Sequence, residues 1–374
     1  MKLLIVANYA KEHINKFHLS TIAKFRENGW QVDVACYADA PIEGASHVYS
    51  LPCARNPFHP RSLTCIKMLK KLIAENHYDA VHCHTLTGRI IGTLAAKSFR
   101  KQGLKLIVTF HGLNYYRGSS PVSKLLIPMD RYLTSFADYV FCNNREDLAF
   151  MQSHGYRLAQ SSFCPPSVNW EKYRDVATFS AERSATRASL GLRDDQLLLA
   201  YVAELTDNKN QTLLLDALSI LKKSRPNIRL LLIGPDHMDG RMQQEIERRG
   251  LSKQVLCMGW REDVCRLLSA CDIYTASSIR EGFGVNLLEA SVCGLPIVAT
   301  DNRGHREIVT DGENGFLVPT DEPALLAEKV AALADDAALR NRLTENATRV
   351  LRVRFGERVE DTVYRVYQTL FKRE

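Results

Sequence analysis

The stretch Ser277-Ser-Ile-Arg-Glu-Gly-Phe-Gly-Val-Asn-Leu-Leu-Glu-Ala290 carries the densest chemical signal in the chain. A predicted strand ends just before it, a glycine-containing loop follows, and a helix is expected to begin at about Gly284. A helix N-terminus presents unpaired N–H groups and binds phosphate well, and Gly282 lets the backbone approach an anion closely. Glu281 and Glu289 can accept hydrogen bonds from sugar and ribose hydroxyls. A capped helix with two surface acids fits the same spacing, so both interpretations stay open.

On both sides of this stretch, strand-like and helix-like patterns alternate, which predicts the α/β class with parallel sheets covered on both faces. Two prolines in Cys164-Pro-Pro-Ser-Val-Asn-Trp170 interrupt the alternation, because proline continues neither a helix nor a central strand. We therefore predict two doubly wound domains of similar size. Strands are expected at 2–7, 31–36, 79–83, 104–110, 139–143, 197–203, 228–233, 255–258, 272–276, 296–299 and 315–318. Helices are expected at 15–28, 61–75, 89–101, 122–136, 145–154, 171–190, 209–223, 239–249, 263–270, 285–293, 322–333, 336–350 and 354–372.

Length and composition agree with a globular protein of two domains. The 374 residues are 45% hydrophobic and 24% charged, which excludes a disordered or fibrous chain. No apolar run approaches the roughly 20 residues of a membrane span, and the strand-like start of the chain predicts that no signal peptide is present. The ten cysteines form no C-x-x-C pair, which disfavours zinc ribbons and redox motifs and favours a reducing, cytoplasmic location.

Positive charge is concentrated in the first half of the chain. Residues 1–175 contain 22 Lys and Arg against 13 Asp and Glu, a net charge of +9, and residues 176–374 contain 27 against 29, a net charge of −2. Nucleic acid, an anionic membrane surface or simply solvated helix faces would each explain this asymmetry. No aromatic-plus-basic motif is visible, so we expect no nucleic acid partner. Lys67, Lys70 and Lys71 share one predicted helix face and are the candidate contact with a membrane.

Four stretches together resemble the donor site of retaining family 4 glycosyltransferases of the GT-B fold. They are the stretch quoted above, Met258-Gly-Trp260, Gly294-Leu-Pro-Ile-Val-Ala-Thr-Asp301 and Asp311-Gly-Glu-Asn-Gly-Phe-Leu-Val318. The resemblance runs through the whole chain, is looser in the first half, and is greatest to bacterial capsule and exopolysaccharide transferases.

The resemblance implies a specific division of the chain. In the GT-B fold two Rossmann-like domains face a cleft, the second holds most of the sugar nucleotide, and the last helix crosses back to the first. We therefore expect an acceptor-binding domain at 1–167, completed by a crossover helix at 354–374. The sugar-nucleotide-binding domain is expected at 168–353.

The resemblance also implies roles for residues of the second half. Lys209 would bind the diphosphate, Glu281 the hydroxyls of the donor sugar, and Glu289 the ribose. Glu204 stands where the family commonly has an Arg, and it would be either a second acidic ligand or a structural residue. Without that Arg, backbone amides would carry more of the charge on the leaving group. The other donor-binding candidates are Asn208, Gly259, Trp260, Gly282, Phe283, Gly284 and Val285.

Histidines in the first half follow predicted strand ends, where open α/β sheets bind ligands. His111 lies in Val108-Thr-Phe-His-Gly112, and the resemblance implies that it contacts the transferred sugar. His82 and His84 would share one face of a strand, which leaves a metal pair open, but no third ligand lies nearby in sequence. We expect no metal and no cofactor. The acceptor-site candidates are His13, His18, His84, Tyr115 and Tyr116.

The predicted activity is retaining transfer of an N-acetylhexosamine or a hexose from a nucleoside-diphosphate sugar, with UDP favoured. The expected acceptor is a glycan or a lipid-linked precursor of a bacterial surface polysaccharide such as capsule or O-antigen. No Asp lies two residues from another, so the D-x-D metal motif is absent, and we expect a metal-independent reaction in the cytoplasm or at the inner face of the membrane. A UDP-N-acetylglucosamine 2-epimerase and a non-catalytic sugar-nucleotide-binding subunit stay open as alternatives.

Overall fold

The computed structural model describes residues 1–113, 126–166 and 176–372. The chain forms two compact units, one of Met1–Val168 with Glu357–Glu374 and the other of Asn169–Gly356. In the described part of the chain, every helix is too short or too polar to cross a membrane.

The first unit is built on a parallel sheet, which comprises seven strands among the described residues in the order β3-β2-β1-β4-β5-β6-β7. The strands are β1 Lys2–Tyr9, β2 Gln31–Tyr37, β3 His47–Ser50, β4 Ala80–Cys83, β5 Lys105–Phe110, β6 Tyr139–Cys142 and β7 Ser161–Phe163. The helical segments are Ala10–Ile14, Asn15–Phe17, Leu19–Glu27, Arg61–Asn76, Leu86–Ala96, Phe99–Gln102, Leu126–Thr134, Arg145–Ser153 and Val359–Leu370.

Both faces of this sheet are buried, which explains the unbroken apolar sequence of β1. Leu3 and Ile5 belong to the hydrophobic cluster on one face, and Leu4 and Val6 belong to the cluster on the other. Alternate side chains of a strand point to opposite faces, so only a strand covered on both sides needs apolar residues at every position.

The second unit repeats the same plan, with six parallel strands among its described residues in the order β10-β9-β8-β11-β12-β13. The strands are β8 Leu197–Val202, β9 Ile228–Ile233, β10 Val255–Gly259, β11 Ile273–Ala276, β12 Ile297–Thr300 and β13 Phe316–Val318. The helices are Val176–Ala181, Arg183–Ser189, Gln211–Leu221, Arg241–Arg248, Val264–Ser269, Val285–Val292, Arg303–Arg306, Pro323–Asp335 and Ala337–Phe355.

The predicted α/β class with two doubly wound parallel sheets is confirmed, and several local predictions need correction. Where the structure describes the helix predicted at 171–190, it contains two helices, Val176–Ala181 and Arg183–Ser189, and the short helix Arg303–Arg306 was not predicted. The strands β3 and β7 were not predicted. The helix predicted at 336–350 continues to Phe355, and the last helix begins at Val359 rather than at residue 354. Its apolar stripe packs in the first unit, where the buried Tyr367 ring lies 4.7 Å from that of Phe25.

Candidate active site

In each sheet the strand order reverses at one point, between β1 and β4 in the first unit and between β8 and β11 in the second. The chain leaves the two neighbouring strands toward opposite sides, so a crevice opens outside their carboxyl ends, and ligands of open α/β sheets bind there.

Lys209 and Glu281 meet at the switch point of the second sheet. The Lys209 Nζ atom donates to Glu281 Oε1 at 2.5 Å, and the two side chains are 20% and 16% exposed. Lys209 follows β8 and Glu281 follows β11, so a separation of 72 residues in sequence becomes one ion pair. Ser278 Oγ also donates to Glu281 Oε1, at 2.7 Å. The arrangement holds a cation in a fixed position at the crevice.

The two loops that carry this ion pair are joined by direct hydrogen bonds. The Ile279 amide donates to the Asn208 carbonyl at 2.8 Å, and the Asn208 side-chain amide donates to the Arg280 carbonyl at 3.0 Å. Ser277 Oγ donates to the Lys209 carbonyl at 2.8 Å. Asn208 therefore positions the loop after β11, a contact that its prediction as a donor-binding residue did not indicate.

Three neighbouring residues lower the pKa of the Glu281 carboxyl. Burial raises the pKa of its carboxyl, but Lys209, His305 and Ser278 outweigh burial and hold that pKa below its ordinary value. Glu281 is thus a carboxylate at neutral pH and can accept hydrogen bonds from a sugar.

Sequence reasoning missed His305 and Gly304, which complete the surroundings of Glu281. His305 is fully buried, with Nδ1 2.7 Å from the Thr300 carbonyl. Its Nε2 is buried without a hydrogen-bond partner in the described part of the chain. A Cβ at Gly304 would lie 2.5 Å from Glu281 Cβ, so only glycine fits here. The sequence shows a glycine shortly after β12, but no neighbouring residue in the sequence indicates that it lies against Glu281.

The helix Val285–Val292 begins beside this ion pair. Gly284 stands at its N-cap with φ +87°, a left-handed conformation that favours glycine. A Cβ there would lie 2.9 Å from Leu287 Cδ1, so the end of the Leu287 side chain would have to shift. The first turn presents backbone N–H groups with the electrostatics that suit a phosphate. Gly282, Phe283 and Val285 flank this start as predicted, and Glu289 lies one turn into the helix and is half-buried.

Glu204 follows the carboxyl end of β8, and Gly259 and Trp260 lie at the carboxyl end of β10. The Glu204 carboxylate is 3.6 Å from His237 Nε2 and 46% exposed. Gly259 ends β10 with φ +63°, and its carbonyl accepts from the Gly234 amide at 2.9 Å. Trp260 is 63% exposed. The exposed indole lies at the edge where open α/β sheets bind ligands, and Glu204 lies beside His237.

In the first unit, the predicted histidines converge at the other switch point. His13 and His18 lie after β1, His84 directly after β4, and His111 directly after β5. His13 Nε2 lies 3.0 Å from His18 Nε2, and His84 Nδ1 lies 3.2 Å from His111 Nε2. Sequence analysis treated these four as separate candidates, and the structure brings them together.

Burial sets the charge of this histidine group. It lowers the pKa of His13 to about 4. Burial and the neighbouring histidines lower the pKa of His18 and of His84 well below the ordinary value, and the pKa of His111 is lowered in the same way. All four rings are therefore neutral at pH 7, the form in which imidazole accepts hydrogen bonds.

Three residues from the sequence analysis remain: His82, the possible metal-pair partner of His84, and the acceptor-site candidates Tyr115 and Tyr116. His82 lies inside β4, with Nε2 2.8 Å from Thr109 Oγ1, so it is a core residue below the group. Its ring centroid is 4.1 Å from that of His84, as the predicted shared strand face requires. Tyr115 and Tyr116 lie outside the described residues.

Comparisons with known proteins match both halves of the chain. Residues 17–172 match the model of Glycosyltransferase Family 4, and residues 182–350 match that of Glycosyl transferases group 1. A relative named "Putative glycosyltransferase EpsD" from Bacillus subtilis (strain 168) is 36% identical over 349 residues, which cover 92% of this chain and 90% of that protein. The Escherichia coli UDP-Gal:alpha-D-GlcNAc-diphosphoundecaprenol alpha-1,3-galactosyltransferase is 24% identical over 295 residues, or 75% of this chain and 74% of that enzyme.

Solved structures share the fold over the whole chain. The crystal structure of Anabaena Alr3699/HepE in complex with UDP and glucose aligns with a TM-score of 0.78 at 23% identity and covers 99% of both chains. The crystal structure of WaaG, a glycosyltransferase involved in lipopolysaccharide biosynthesis, aligns with a TM-score of 0.75 at 18% identity and covers 100% of both chains. At these identities the likeness concerns the fold.

Proposed function

Because this chain belongs to the glycosyltransferases of the group 1 and family 4 type, with their GT-B fold, we propose that it is a retaining enzyme that uses a UDP-sugar. It transfers a hexose or an N-acetylhexosamine to a glycan or lipid-linked acceptor of a bacterial surface polysaccharide. The observation that carries the proposal is the Lys209–Glu281 ion pair at the switch point of the second sheet. The relative named for transfer from UDP-Gal to a diphosphoundecaprenol-linked sugar supports this choice of substrates.

In the proposed reaction, Lys209 stabilises the departing diphosphate. Its Nζ is already fixed by Glu281, so little reorganisation is needed when negative charge develops on the leaving group. The first amides of the helix Val285–Val292 share that charge. The leaving phosphate itself takes the proton of the acceptor hydroxyl, and we assign no protein base.

Glu281 and the remaining donor residues position the sugar nucleotide. Glu281 keeps one carboxylate oxygen on Lys209 and Ser278, and its other oxygen accepts from a hydroxyl of the transferred sugar. Glu289, one turn into the helix, accepts from the ribose hydroxyls. The base lies against Gly259 and Trp260 at the end of β10, where the exposed indole offers a stacking surface.

The proposed location is the inner face of the membrane, where a lipid-linked acceptor resides. Lys67, Lys70 and Lys71 are all exposed on the helix Arg61–Asn76. On the same helix Leu63 is 67% exposed and Met68 is 41% exposed. Basic and apolar side chains on one exposed helix suit the headgroup region of an anionic leaflet.

Two measurements test the proposed function. Calorimetric titration with nucleoside diphosphates should show binding of UDP, and mass spectrometry of reactions with UDP-hexoses and UDP-N-acetylhexosamines should show transfer to a polyprenyl-diphosphate sugar. Inversion of the anomeric centre in the product would contradict the retaining mechanism. Epimerisation of UDP-N-acetylglucosamine without acceptor would identify an epimerase, and binding without turnover would identify a non-catalytic subunit.

A further inference from the structure

Four histidines meet at the carboxyl edge of the first sheet. One ring nitrogen from each of His13, His18, His84 and His111 lies within 4.8 Å of the other three. They come from the segments that follow β1, β4 and β5, which are neighbours in the sheet. We propose that this group, the four-histidine cluster, binds one divalent transition-metal ion, with zinc as the expected occupant.

The distances within the cluster are close to those of a tetrahedral site. Zinc–nitrogen bonds of about 2.0–2.1 Å at tetrahedral angles place neighbouring ligand nitrogens about 3.3 Å apart. His13 Nε2 and His18 Nε2 are 3.0 Å apart, and His84 Nδ1 and His111 Nε2 are 3.2 Å apart. These two close pairs supply two opposite edges of a tetrahedron. The remaining distances between ligand atoms are at most 4.8 Å, so the rings would move closer together when the ion binds.

The donor set selects the class of metal. Imidazole nitrogen suits zinc, copper, nickel and iron, whereas magnesium and calcium prefer oxygen ligands. The cluster consists of histidines only. Three of the four residues are buried, with His13 and His18 8% exposed and His84 4% exposed.

Neighbouring side chains can orient the ligands. His111 Nδ1 lies 3.0 Å from the Asn143 side-chain amide. When His111 Nε2 binds the metal, Nδ1 carries the proton, and a half-turn of the Asn143 amide places its oxygen to accept it. A ligand histidine that donates its second N–H to a fixed acceptor is the usual arrangement around a protein-bound metal.

Four protein ligands leave no open position on a tetrahedral ion, so the proposed metal is structural. It ties together the chain segments that leave three neighbouring strands. His111 Nε2 is then a metal ligand, and this atom is not available to a donor sugar. The inference concerns residues of the first unit and does not depend on the proposed function of the second.

The direct test is metal binding by the full-length chain without an affinity tag. Metal content is measured by plasma mass spectrometry after purification without chelators. The protein is then stripped with EDTA, dialysed, and titrated with zinc sulfate by calorimetry and with cobalt chloride by visible absorption. We expect one zinc per chain and the intense visible bands of a tetrahedral cobalt site.

Two substitutions and two controls locate the site. His18→Gln and His84→Gln each remove one ligand, and each should weaken zinc binding by at least about 100-fold, since even outer partners of a metal contribute 10–100-fold. His82→Gln changes a buried ring that bonds to Thr109 in the same region, and His59→Gln changes an exposed one. Both controls should bind zinc like the unmodified chain, and circular dichroism verifies that each variant is folded.

The unmodified chain decides the question even if a variant fails to fold. Absence of zinc from the purified protein together with no binding of zinc or cobalt by the stripped chain would overturn the proposal. Undiminished binding in folded His18→Gln and His84→Gln variants would overturn it as well, because the metal would then lie elsewhere.

Discussion

Replacement of Lys209 by Met gives the sharpest test of the proposed diphosphate site. Met keeps most of the length of the side chain and removes only the charge and the donor. Lys209 Nζ is fixed by Glu281 at 2.5 Å, so it is a preorganised cation of the kind whose loss costs about 10²–10³ in rate, or about 2.7–4 kcal/mol. We therefore expect kcat/KM to fall by about 10²–10³, and UDP to bind more weakly.

The same substitution should also lower stability, for a separate reason. Glu281 keeps its hydrogen bond from Ser278 but loses the cation that compensates its partly buried charge. Breaking a fully buried ion pair costs about 3–5 kcal/mol. Because both side chains retain some exposure, solvent screening reduces this to about 1–3 kcal/mol. The double variant Lys209→Met/Glu281→Gln removes the stranded charge and should recover part of the stability but none of the activity.

The assay combines steady-state transfer from the UDP-sugar, calorimetric binding of UDP and thermal unfolding. Lys223→Met is the matched control, because Lys223 is exposed beyond the end of the helix Gln211–Leu221, and it should change none of the three. Turnover close to that of the unmodified chain in a folded Lys209→Met variant would refute the assignment of Lys209 to the diphosphate. Recovery of activity in the double variant would refute it equally, since the loss would then come from the stranded carboxylate.

Three further predictions concern the metal, the membrane and the fit around Glu281. Without a D-x-D motif, UDP should bind with the same affinity in EDTA as in Mg²⁺ or Mn²⁺, and strict dependence on either ion in calorimetry would contradict a metal-free diphosphate site. The chain should sediment with anionic but not neutral liposomes at low salt, because each basic side chain near an anionic surface contributes about 1 kcal/mol. Reversal of Lys67, Lys70 and Lys71 to Glu should weaken this sedimentation without changing UDP binding. Equal partitioning onto both lipids would argue against membrane docking. Gly304→Ala would place a Cβ 2.5 Å from Glu281 Cβ. This substitution should lower the free energy of unfolding by about 1–3 kcal/mol and weaken donor binding. An unchanged melting temperature and an unchanged Kd for UDP would show that this close approach is unimportant.

The sheet strands that sequence analysis found are those covered on both sides. A strand such as β1 carries apolar residues at every position because both of its faces are buried. The edge strand β3, His47–Ser50, is mostly exposed, and β7, Ser161–Phe163, is short and half-buried. Their backbone pairing leaves no apolar pattern in the sequence, so they could not be predicted from it.

The ends of the last two helices were mispredicted for a similar reason. The apolar stripe at 354–372 appears continuous in sequence, yet Phe355 packs on Phe283 with ring centroids 5.5 Å apart, whereas Val363 and Tyr367 belong to the core of the first unit. Apolar spacing reports that a residue is buried but not what it is buried against. The chain passes from one unit to the other between these residues, and no local signal distinguishes the two destinations.

Strand order explains why the sequence could not show which of the predicted site residues lie together in space. Both sheets reverse at the strand that opens their unit, β1 or β8, and the loop after each such strand meets the loop after the fourth or the eleventh strand. At one reversal the chain places Lys209 and Glu281 beside a helix start, which suits an anion held by a cation and amides. At the other it places four histidines, which suit a transition-metal cation. The same topology therefore creates one crevice in each unit. The residues that follow the strands at each crevice determine whether that crevice suits an anion or a cation.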